Sequence, residues 1–339
     1  MNDYPIDIVV TWVDGADPKW LRERSHFRRT AGDEAGEERY RDWGLLRYWF
    51  RGIEKNASWV NRIFFVTWGH VPDWLNLDSP KLKVVRHADF IPERYLPTFS
   101  ARTIELNLHR IEGLSEHFVY FNDDMFLTNP VSGEDFFRNG KPVGMAAFSV
   151  QNAPEDLYRA VLFNNVRLIN RNFDKRDVVK KNLWKYLNPA YGKYNIRTLL
   201  SLPWSGLVGF YNPHGPSPLL KSTYDEVWEK EGSVLDTTCQ KRFRGETDVN
   251  QYALLYWQYC KGEFVPYRFP VAFCRAAKET DRAVKLINDR KLKCVCLNDS
   301  ASSMENVEKA AYKLRTALEE KFPYVSQFEK GIASTGYGR

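Results

Sequence analysis

The sequence lacks an apolar run long enough to cross a bilayer, which takes about 20 consecutive apolar residues in a helix. Its first residues, Met-Asn-Asp-Tyr-Pro, do not form the basic and then apolar pattern of a signal peptide. Cysteine is scarce, and no C-x-x-C pair occurs among Cys239, Cys260, Cys274, Cys294 and Cys296. We therefore expect reduced thiols and a cytoplasmic location. Cys294 and Cys296, on a predicted strand, are expected to point to opposite faces and to share no metal.

Positive charge is present only in small excess. The net charge is +6 over 339 residues and no long basic run occurs, so a nucleic acid partner is not predicted. The excess fits an anionic ligand such as a nucleoside diphosphate, or peripheral contact with anionic lipid at the inner face of the cell membrane. The oligomeric state does not follow from these features.

Aromatic residues, in contrast, are abundant, at 15% of the chain with 11 Trp and 18 Tyr. Flat rings pack well on the apolar faces of sugars, but a thick core or an aromatic interface gives the same composition. Hydrophobic residues at 43% and charged residues at 27% indicate a globular protein. The length allows one large domain or two joined lobes.

Apolar strands alternate with helical patterns through the first half of the chain. The strands are predicted at 6–12, 63–68, 82–85 and 118–121, and a helix with Ser100 as its cap is predicted from 100 to 114. This alternation predicts an α/β fold with a mostly parallel, Rossmann-like or GT-A-like sheet flanked by helices. The expected organisation is an α/β nucleotide-sugar-binding core (1–150), a basic helical insertion or lid (151–205), the remainder of the core (206–325) and a flexible tail (326–339). Further helices are predicted at 219–230, at 246–261 and from a capping box at Ser302 and Glu305.

Polar residues follow several of these strands directly. Asp14 and Asp17 follow the first strand, and Asn122, Asp123 and Asp124 follow the fourth. Ligands of open α/β sheets bind outside the carboxyl ends of the strands, so these side chains mark the expected site. Asp123 and Asp124 are hard oxygen ligands suited to Mg²⁺ or Mn²⁺, which would bridge to the diphosphate of a nucleotide-activated sugar. The ordinary alternative is an Asp that caps the next turn; the strand before the motif favours the metal.

Two further candidates lie outside the strand ends. His214, on the rigid loop Asn212-Pro213-His214-Gly215-Pro216, is a candidate general base or phosphate ligand, with a structural role as the alternative. Arg244 precedes a predicted helix and has the geometry to clamp a phosphate, although a surface ion pair is equally compatible with the pattern.

Taken in order along the chain, these motifs resemble the conserved blocks of the Stealth family of sugar-1-phosphate transferases. The first block is similar to Ile6–Asp17, which contains Trp12-Val13-Asp14-Gly15. The second runs through Leu96-Pro97-Thr98-Phe99-Ser100, Glu105 and His109–Leu114 to Tyr120-Phe121-Asn122-Asp123-Asp124. The third matches at Pro213-His214 and at Arg244 with Glu246 and Asp248, and the fourth at Cys296-Leu297-Asn298-Asp299. Residues 152–202 resemble no part of the family.

The resemblance implies transfer of a hexose-1-phosphate from a UDP-sugar to a hydroxyl of a glycan or lipid-linked saccharide, with release of UMP. It implies a setting in bacterial capsule or cell-surface polysaccharide synthesis. The implied roles are metal and diphosphate binding for Asp123 and Asp124, charge stabilisation for Arg244, and deprotonation of the acceptor or phosphate binding for His214. The residues implied on the donor side are Trp12, Asp14, Gly15, Ser100, Arg102, Asn122 and Asn298.

Two other functions remain open from the sequence. A GT-A glycosyltransferase would use the same acids but release UDP, since it breaks the glycosidic bond. A non-catalytic carbohydrate-binding protein would use the aromatic residues for recognition and would leave the acidic pair and Arg244 unexplained.

Overall fold

The computed structural model describes residues 4–31, 40–152, 157–300 and 302–330. Its strands are β1 (Ile6–Thr11), β2 (Ile63–Thr67), β3 (Leu82–Arg86), β4 (His117–Asn122), β5 (Met125–Leu127), β6 (Phe137–Arg138), β7 (Lys141–Gly144), β8 (Ser217–Leu220), β9 (Val265–Pro266), β10 (Val271–Arg275) and β11 (Cys294–Asn298). Its α-helices are α1 (Pro18–Ala31), α2 (Leu46–Asn56), α3 (His87–Phe90), α4 (Ala101–Asn107), α5 (Leu157–Asn172), α6 (Lys175–Tyr186), α7 (Asn195–Ser201), α8 (Lys221–Cys239), α9 (Tyr252–Lys261), α10 (Thr280–Ile287) and α11 (Met304–Lys321).

The central sheet has the strand order β3-β2-β1-β4-β8. Its first four strands are parallel and β8 is antiparallel to β4. Strands that are buried on both faces read as continuous apolar runs, which is why β1, β2 and β4 are visible in the sequence. The order 3-2-1-4 is that of a Rossmann-like half-sheet, so the predicted α/β class with a mostly parallel sheet is confirmed.

Alternate residues of β1 face two different core layers. Val9 packs with the layer that contains α4, α5, α8 and α9, and Ile8 and Val10 pack with the layer of α2, α10 and α11. This alternation is the two-residue period of a strand. Helices consequently cover both faces of the central sheet.

A second sheet, in the order β10-β11-β5, meets the central sheet at one point in the chain. β4 ends at Asn122 and β5 begins at Met125, so the turn that carries Asp123 and Asp124 joins the two sheets. β11 pairs antiparallel with β5, which brings Cys296 opposite Met125 and places Asn298 near the same turn. The third sheet is β6-β7-β9.

The segment predicted as a helical insertion is helical, comprising α5, α6 and α7. Leu162, Leu168 and Val178 belong to the same buried layer as Val9, so this segment packs onto the core of the central sheet. Its movement as a lid, and the domain boundaries, stay predictions.

Several predicted boundaries are wrong. The helix predicted at 246–261 begins at Tyr252, and the one from Ser100 ends at Asn107, followed by a short 3-10 turn. Ser100 makes no capping hydrogen bond through its side chain. The last helix is capped by Ser303, whose side chain accepts from the Asn306 N–H, and not by Ser302. The helix predicted at 219–230 is longer, Lys221–Cys239.

The flexible tail predicted from residue 326 is also wrong for its first five residues. Ser326 and Phe328 are buried, and Glu329 forms a buried ion pair with Arg51 at 2.8 Å. The Lys330 N–H donates to the Trp74 carbonyl at 2.8 Å. These contacts hold residues 326–330 against the core; residues 331–339 lie outside the described part of the chain. Within that described part, none of the helices combines the length and apolar character that a membrane crossing demands.

Candidate active site

A cavity of about 830 Å³ opens at the carboxyl ends of β1, β4 and β11. This volume lies in the range of small-molecule and cofactor sites. Seven of the eleven residues named from the sequence line it: Trp12, Asn122, Asp123, Asp124, His214, Arg244 and Asn298. The four that do not line it are Asp14, Gly15, Ser100 and Arg102.

Asp124 is fixed in this cavity by β11. Its Oδ2 accepts from the Asn298 amide at 3.2 Å and from the Cys296 thiol at 3.3 Å, and its carbonyl accepts from the Leu297 N–H at 2.8 Å. Its other carboxylate oxygen, Oδ1, is buried and has no protein partner. A buried acceptor without a partner is costly, so this oxygen is suited to a ligand from outside the chain.

Asp123 is open to the cavity, but protein surrounds it closely. Desolvation raises its pKa to about 8, with further contributions from the neighbouring charges of Asp124 and Asp42. A carboxyl group whose pKa is raised by neighbouring negative charge is stabilised in its charged form by a cation. The donor set therefore fits a divalent metal.

The prediction that Cys294 and Cys296 point to opposite faces was wrong, because residues two positions apart in a strand lie on the same face. Cys296, Asp124 and His214 each place one potential ligand atom within 4.8 Å of the other two. Burial holds the pKa of the Cys296 thiol well above its usual range, so the thiol stays protonated and is a poor ligand. Oxygen ligands are the better description of the site.

His214 is held by its neighbours on two sides. Its backbone has a positive φ of 52°, and its N–H donates to the Asn212 side chain at 3.0 Å. Its Nδ1 lies 2.9 Å from the hydroxyl of Tyr252, at the start of α9. Burial keeps the pKa of Tyr252 well above its usual range, so this partner stays neutral. The hydrogen bond orients the imidazole and leaves Nε2 as the nitrogen available to a substrate.

Arg244 lines the same cavity, and its buried Nε has no protein partner. The loop that carries it is held from behind by Arg102, which donates to the Gly245 carbonyl and to Asp248 Oδ2, each at 2.7 Å. Asp248 is fully buried and also accepts from Lys241 at 2.7 Å. Arg102 thus positions the loop of Arg244 and does not itself reach the cavity.

Glu105 is a candidate that reasoning from single residues missed, although it lies within the block that resembles the Stealth family. It is buried on α4, and the hydroxyl of Tyr120, a cavity residue, donates to it at 3.2 Å. Burial raises the pKa of Glu105 to about 7, against the opposing charges of Arg244 and Arg102. An acidic residue next to the apolar positions of a helix, here Ile104 and Leu108, is the signal that would have found it.

The turn after β1 supports the cavity wall from outside. The Asp14 N–H donates to His70 Nε2 at 2.8 Å, and burial lowers the pKa of His70, which keeps this nitrogen an acceptor. A Cβ at Gly15 would lie 1.9 Å from the carbonyl oxygen of Tyr40, so only glycine allows this approach. Tyr40 itself lines the cavity. Ser100 is buried, and its hydroxyl has no protein partner.

Carboxylates, an imidazole and a guanidinium that meet at the strand ends define a class of protein, the α/β enzymes with an active site at the carboxyl edge of the sheet. Residues 4–31 match the family model described as Stealth protein CR1, conserved region 1, and residues 39–143 match Stealth protein CR2, conserved region 2. The chain belongs to the Stealth family, and it is a transferase. The carbohydrate-binding alternative without catalysis is therefore excluded.

Named relatives can be aligned with nearly the whole chain. "Capsular polysaccharide phosphotransferase WcwK" of Streptococcus pneumoniae is 39% identical over 97% of this chain and 99% of that protein. "Exopolysaccharide phosphotransferase cps2G" of Lactiplantibacillus plantarum is 38% identical over 96% of this chain and 97% of that protein. Among solved structures, the galactosyltransferase LgtC with donor and acceptor sugar analogues is similar over 95% of this chain and 98% of that chain, at 11% identity and a TM-score of 0.39. A TM-score at that level supports no conclusion about this chain.

Proposed function

We propose that this protein transfers a hexose-1-phosphate from a UDP-sugar to a hydroxyl of a glycan or lipid-linked saccharide in bacterial capsule or cell-surface polysaccharide synthesis. The names of its relatives support the polysaccharide acceptor and the transfer of phosphate. The single observation that carries the proposal is the meeting of Asp124, His214 and Arg244 in one cavity. An acidic group for a metal, a base and a phosphate clamp are the parts that phosphoryl transfer needs.

Asp123 and Asp124 are the proposed metal ligands, for Mg²⁺ or Mn²⁺. The partnerless Oδ1 of Asp124, the raised pKa of Asp123 and the side-chain oxygen of Asn122, which is buried without a partner, support this assignment. A divalent cation held there would neutralise charge on the diphosphate of the donor.

Arg244 and His214 act on the transferred group in this proposal. The acceptor oxygen forms a bond to the sugar-linked phosphorus, the bond from that phosphorus to the bridging oxygen breaks, and UMP leaves with the bridging oxygen. Nε2 of His214 takes the proton of the acceptor hydroxyl, or else holds a phosphate oxygen. Arg244, with its free Nε, binds the oxygens of the phosphoryl group, and Glu105 behind it balances its charge.

The uridine side of the donor is proposed to lie along the aromatic wall of the cavity. Trp12, Tyr40 and Phe99 line that wall, and flat rings suit a pyrimidine base. Asp14 and Gly15 contribute indirectly, since Gly15 allows the close approach of Tyr40. Asn298 contributes by holding Asp124.

The nucleotide product tests the proposal. The purified protein is incubated with Mg²⁺, a panel of UDP-sugars and short capsule oligosaccharides, and the nucleotides are separated. Release of UMP together with a phosphodiester-linked product is the expected result. Release of UDP would overturn the proposal in favour of the glycosyltransferase alternative.

A further inference from the structure

Helix α7 is inverted, with small polar residues inward and large apolar residues outward. Thr198 is fully buried and its hydroxyl accepts from the Phe148 N–H at 2.9 Å. Ser201 is 3% exposed, and its carbonyl accepts from Lys175 at 2.6 Å. On the other side Leu200 is 72% exposed. A surface helix ordinarily buries its apolar face, so this face is one that the described part of the chain does not cover.

The exposed residues follow one helical stripe through the end of α7. Their positions are i, i+3, i+4, i+7 and i+8, and we call them the apolar ridge: Ile196, Leu199, Leu200, Pro203 and Trp204. The turn continues past the helix, because the Trp204 N–H donates to the Ser201 carbonyl at 3.2 Å. Isolated exposed apolar residues are ordinary, but five at this spacing form a continuous surface that marks an interaction site.

The segment around the apolar ridge is strongly basic. Between residues 157 and 204 there are ten Lys or Arg and two Asp, a net charge of +8, whereas the whole chain carries +6. Lys193 and Arg197 are exposed beside the ridge, and the preceding helix α6 exposes Lys180, Lys181 and Trp184, the last by 78%. Exposed basic side chains thus lie on the same two helices, α6 and α7, as these exposed apolar side chains.

We infer that the apolar ridge docks this protein on the surface of an anionic lipid bilayer. Apolar side chains would enter the boundary between headgroups and acyl chains, and the surrounding Lys and Arg would contact anionic headgroups. Trp184 and Trp204 suit this boundary, since indole rings concentrate at membrane interfaces. A second copy of the chain is the less favourable occupant, because the exposed Lys and Arg side chains of the two copies would repel one another.

The apolar ridge lies near the rim of the active-site cavity. The guanidinium of Arg197 sits 5.6 Å from the ring centre of Tyr211, which lines that cavity. Docking through the ridge would hold the cavity close to the bilayer, where an acceptor attached to lipid is presented. The docking itself is independent of the reaction proposed above and is measured without any donor.

Sedimentation with vesicles tests the inference on the full-length chain. The vesicles contain equal parts phosphatidylglycerol and phosphatidylcholine. The variant is Leu199→Ser/Leu200→Ser. Because both leucine side chains are exposed, we expect the fold to tolerate the change. We expect the double variant to bind at least about tenfold more weakly, which corresponds to about 1.4 kcal/mol. The matched control, Leu77→Ser/Tyr312→Ser, removes two exposed apolar side chains elsewhere (52% and 72% exposed) and is expected to bind like wild type.

Two comparisons distinguish a lipid bilayer from a second copy of the chain as the partner of the apolar ridge. Binding of the wild-type chain is expected to fall with salt and to be weak on vesicles of phosphatidylcholine alone, since anionic lipid attracts the basic segment. Equal binding by wild type and the Leu199→Ser/Leu200→Ser variant would overturn the inference. So would a lipid-free dimer of the wild-type chain that this variant dissociates, because the ridge would then be a contact between copies. Equal thermal unfolding of the variants verifies that each is folded.

Discussion

Asp124 and His214 are 90 residues apart in the sequence, yet a carboxylate oxygen of one lies within 4.8 Å of an imidazole nitrogen of the other. Asp124 is placed by the junction of two sheets, and His214 by a loop that leads into β8. A carboxylate that is suited to a cation and an imidazole that is suited to act as a base therefore lie side by side in the cavity. The catalytic predictions follow from this pair.

Replacing Asp124 tests the metal site. Asp124→Asn keeps the shape of the side chain and removes its charge, so we expect loss of metal-dependent turnover by at least about 10²-fold. The fold should persist, because the amide still meets Asn298. Calorimetry with Mn²⁺ and UMP release are the measurements. Cys296→Ser is the matched control, expected to keep metal binding, since a protonated thiol contributes no charge. Full turnover by Asp124→Asn would refute the assignment.

Variants of His214 and of its partner Tyr252 test whether His214 is a catalytic base or a structural residue. His214→Gln should lower kcat by about 10²-fold or more, the usual worth of positioned proton transfer. Tyr252→Phe removes the hydroxyl that contacts Nδ1 and keeps the imidazole itself, so it should lower kcat by a smaller factor, of order tenfold. Turnover measured with a saturating UDP-sugar, together with the unfolding temperature, gives both results. A loss below about tenfold in His214→Gln would show that His214 is not the base.

The sequence predicted the sheet better than the site, for physical reasons visible in particular residues. β1, β2 and β4 are buried on both faces and appear as mainly apolar runs. The ion pair of Arg102 with Asp248 joins residues 146 positions apart, so no local sequence pattern predicts it. That pair also explains why α9 begins late: Asp248 is engaged in holding an irregular loop, so the helix starts only at Tyr252.

Errors at single positions have the same origin. Ser100 has the residue type of a helix cap, but its hydroxyl is buried without a partner. The resemblance implied Gly15 on the donor side; Gly15 does not line the cavity, and it allows the close approach of Tyr40, which does. The Asn122-Asp123-Asp124 turn, in contrast, lies where the rule for parallel sheets places it.

Arg102 and Arg244 should respond differently to substitution. Arg102→Ala leaves Asp248 as a buried carboxylate with Lys241 as its remaining cationic partner, so we expect a loss of stability of about 3 kcal/mol together with lower turnover. Arg244→Ala removes a side chain whose Nε has no protein partner, so turnover should fall with little change in the unfolding temperature. Denaturant unfolding and UMP release, measured on both variants, make the comparison. Equal stability losses would contradict the separate roles.

The pH dependence of stability isolates Asp123 in the metal-free protein. An unfolded Asp releases its proton near pH 3.8, whereas folded Asp123 holds its proton up to about pH 8. Between these values the folded state binds more protons, so the free energy of unfolding falls as pH rises. Glu105 acts in the same direction but only up to about pH 7. The buried His87 and His109 act in the opposite direction, with folded pKa values of about 3, and their effect ends near pH 6.5.

A decline in unfolding temperature between pH 7 and 8 therefore reports on Asp123. We expect Asp123→Asn to remove that decline and saturating Mn²⁺ to stabilise the wild-type protein more at pH 8 than at pH 6. A decline that persists unchanged in Asp123→Asn would place its origin in another group.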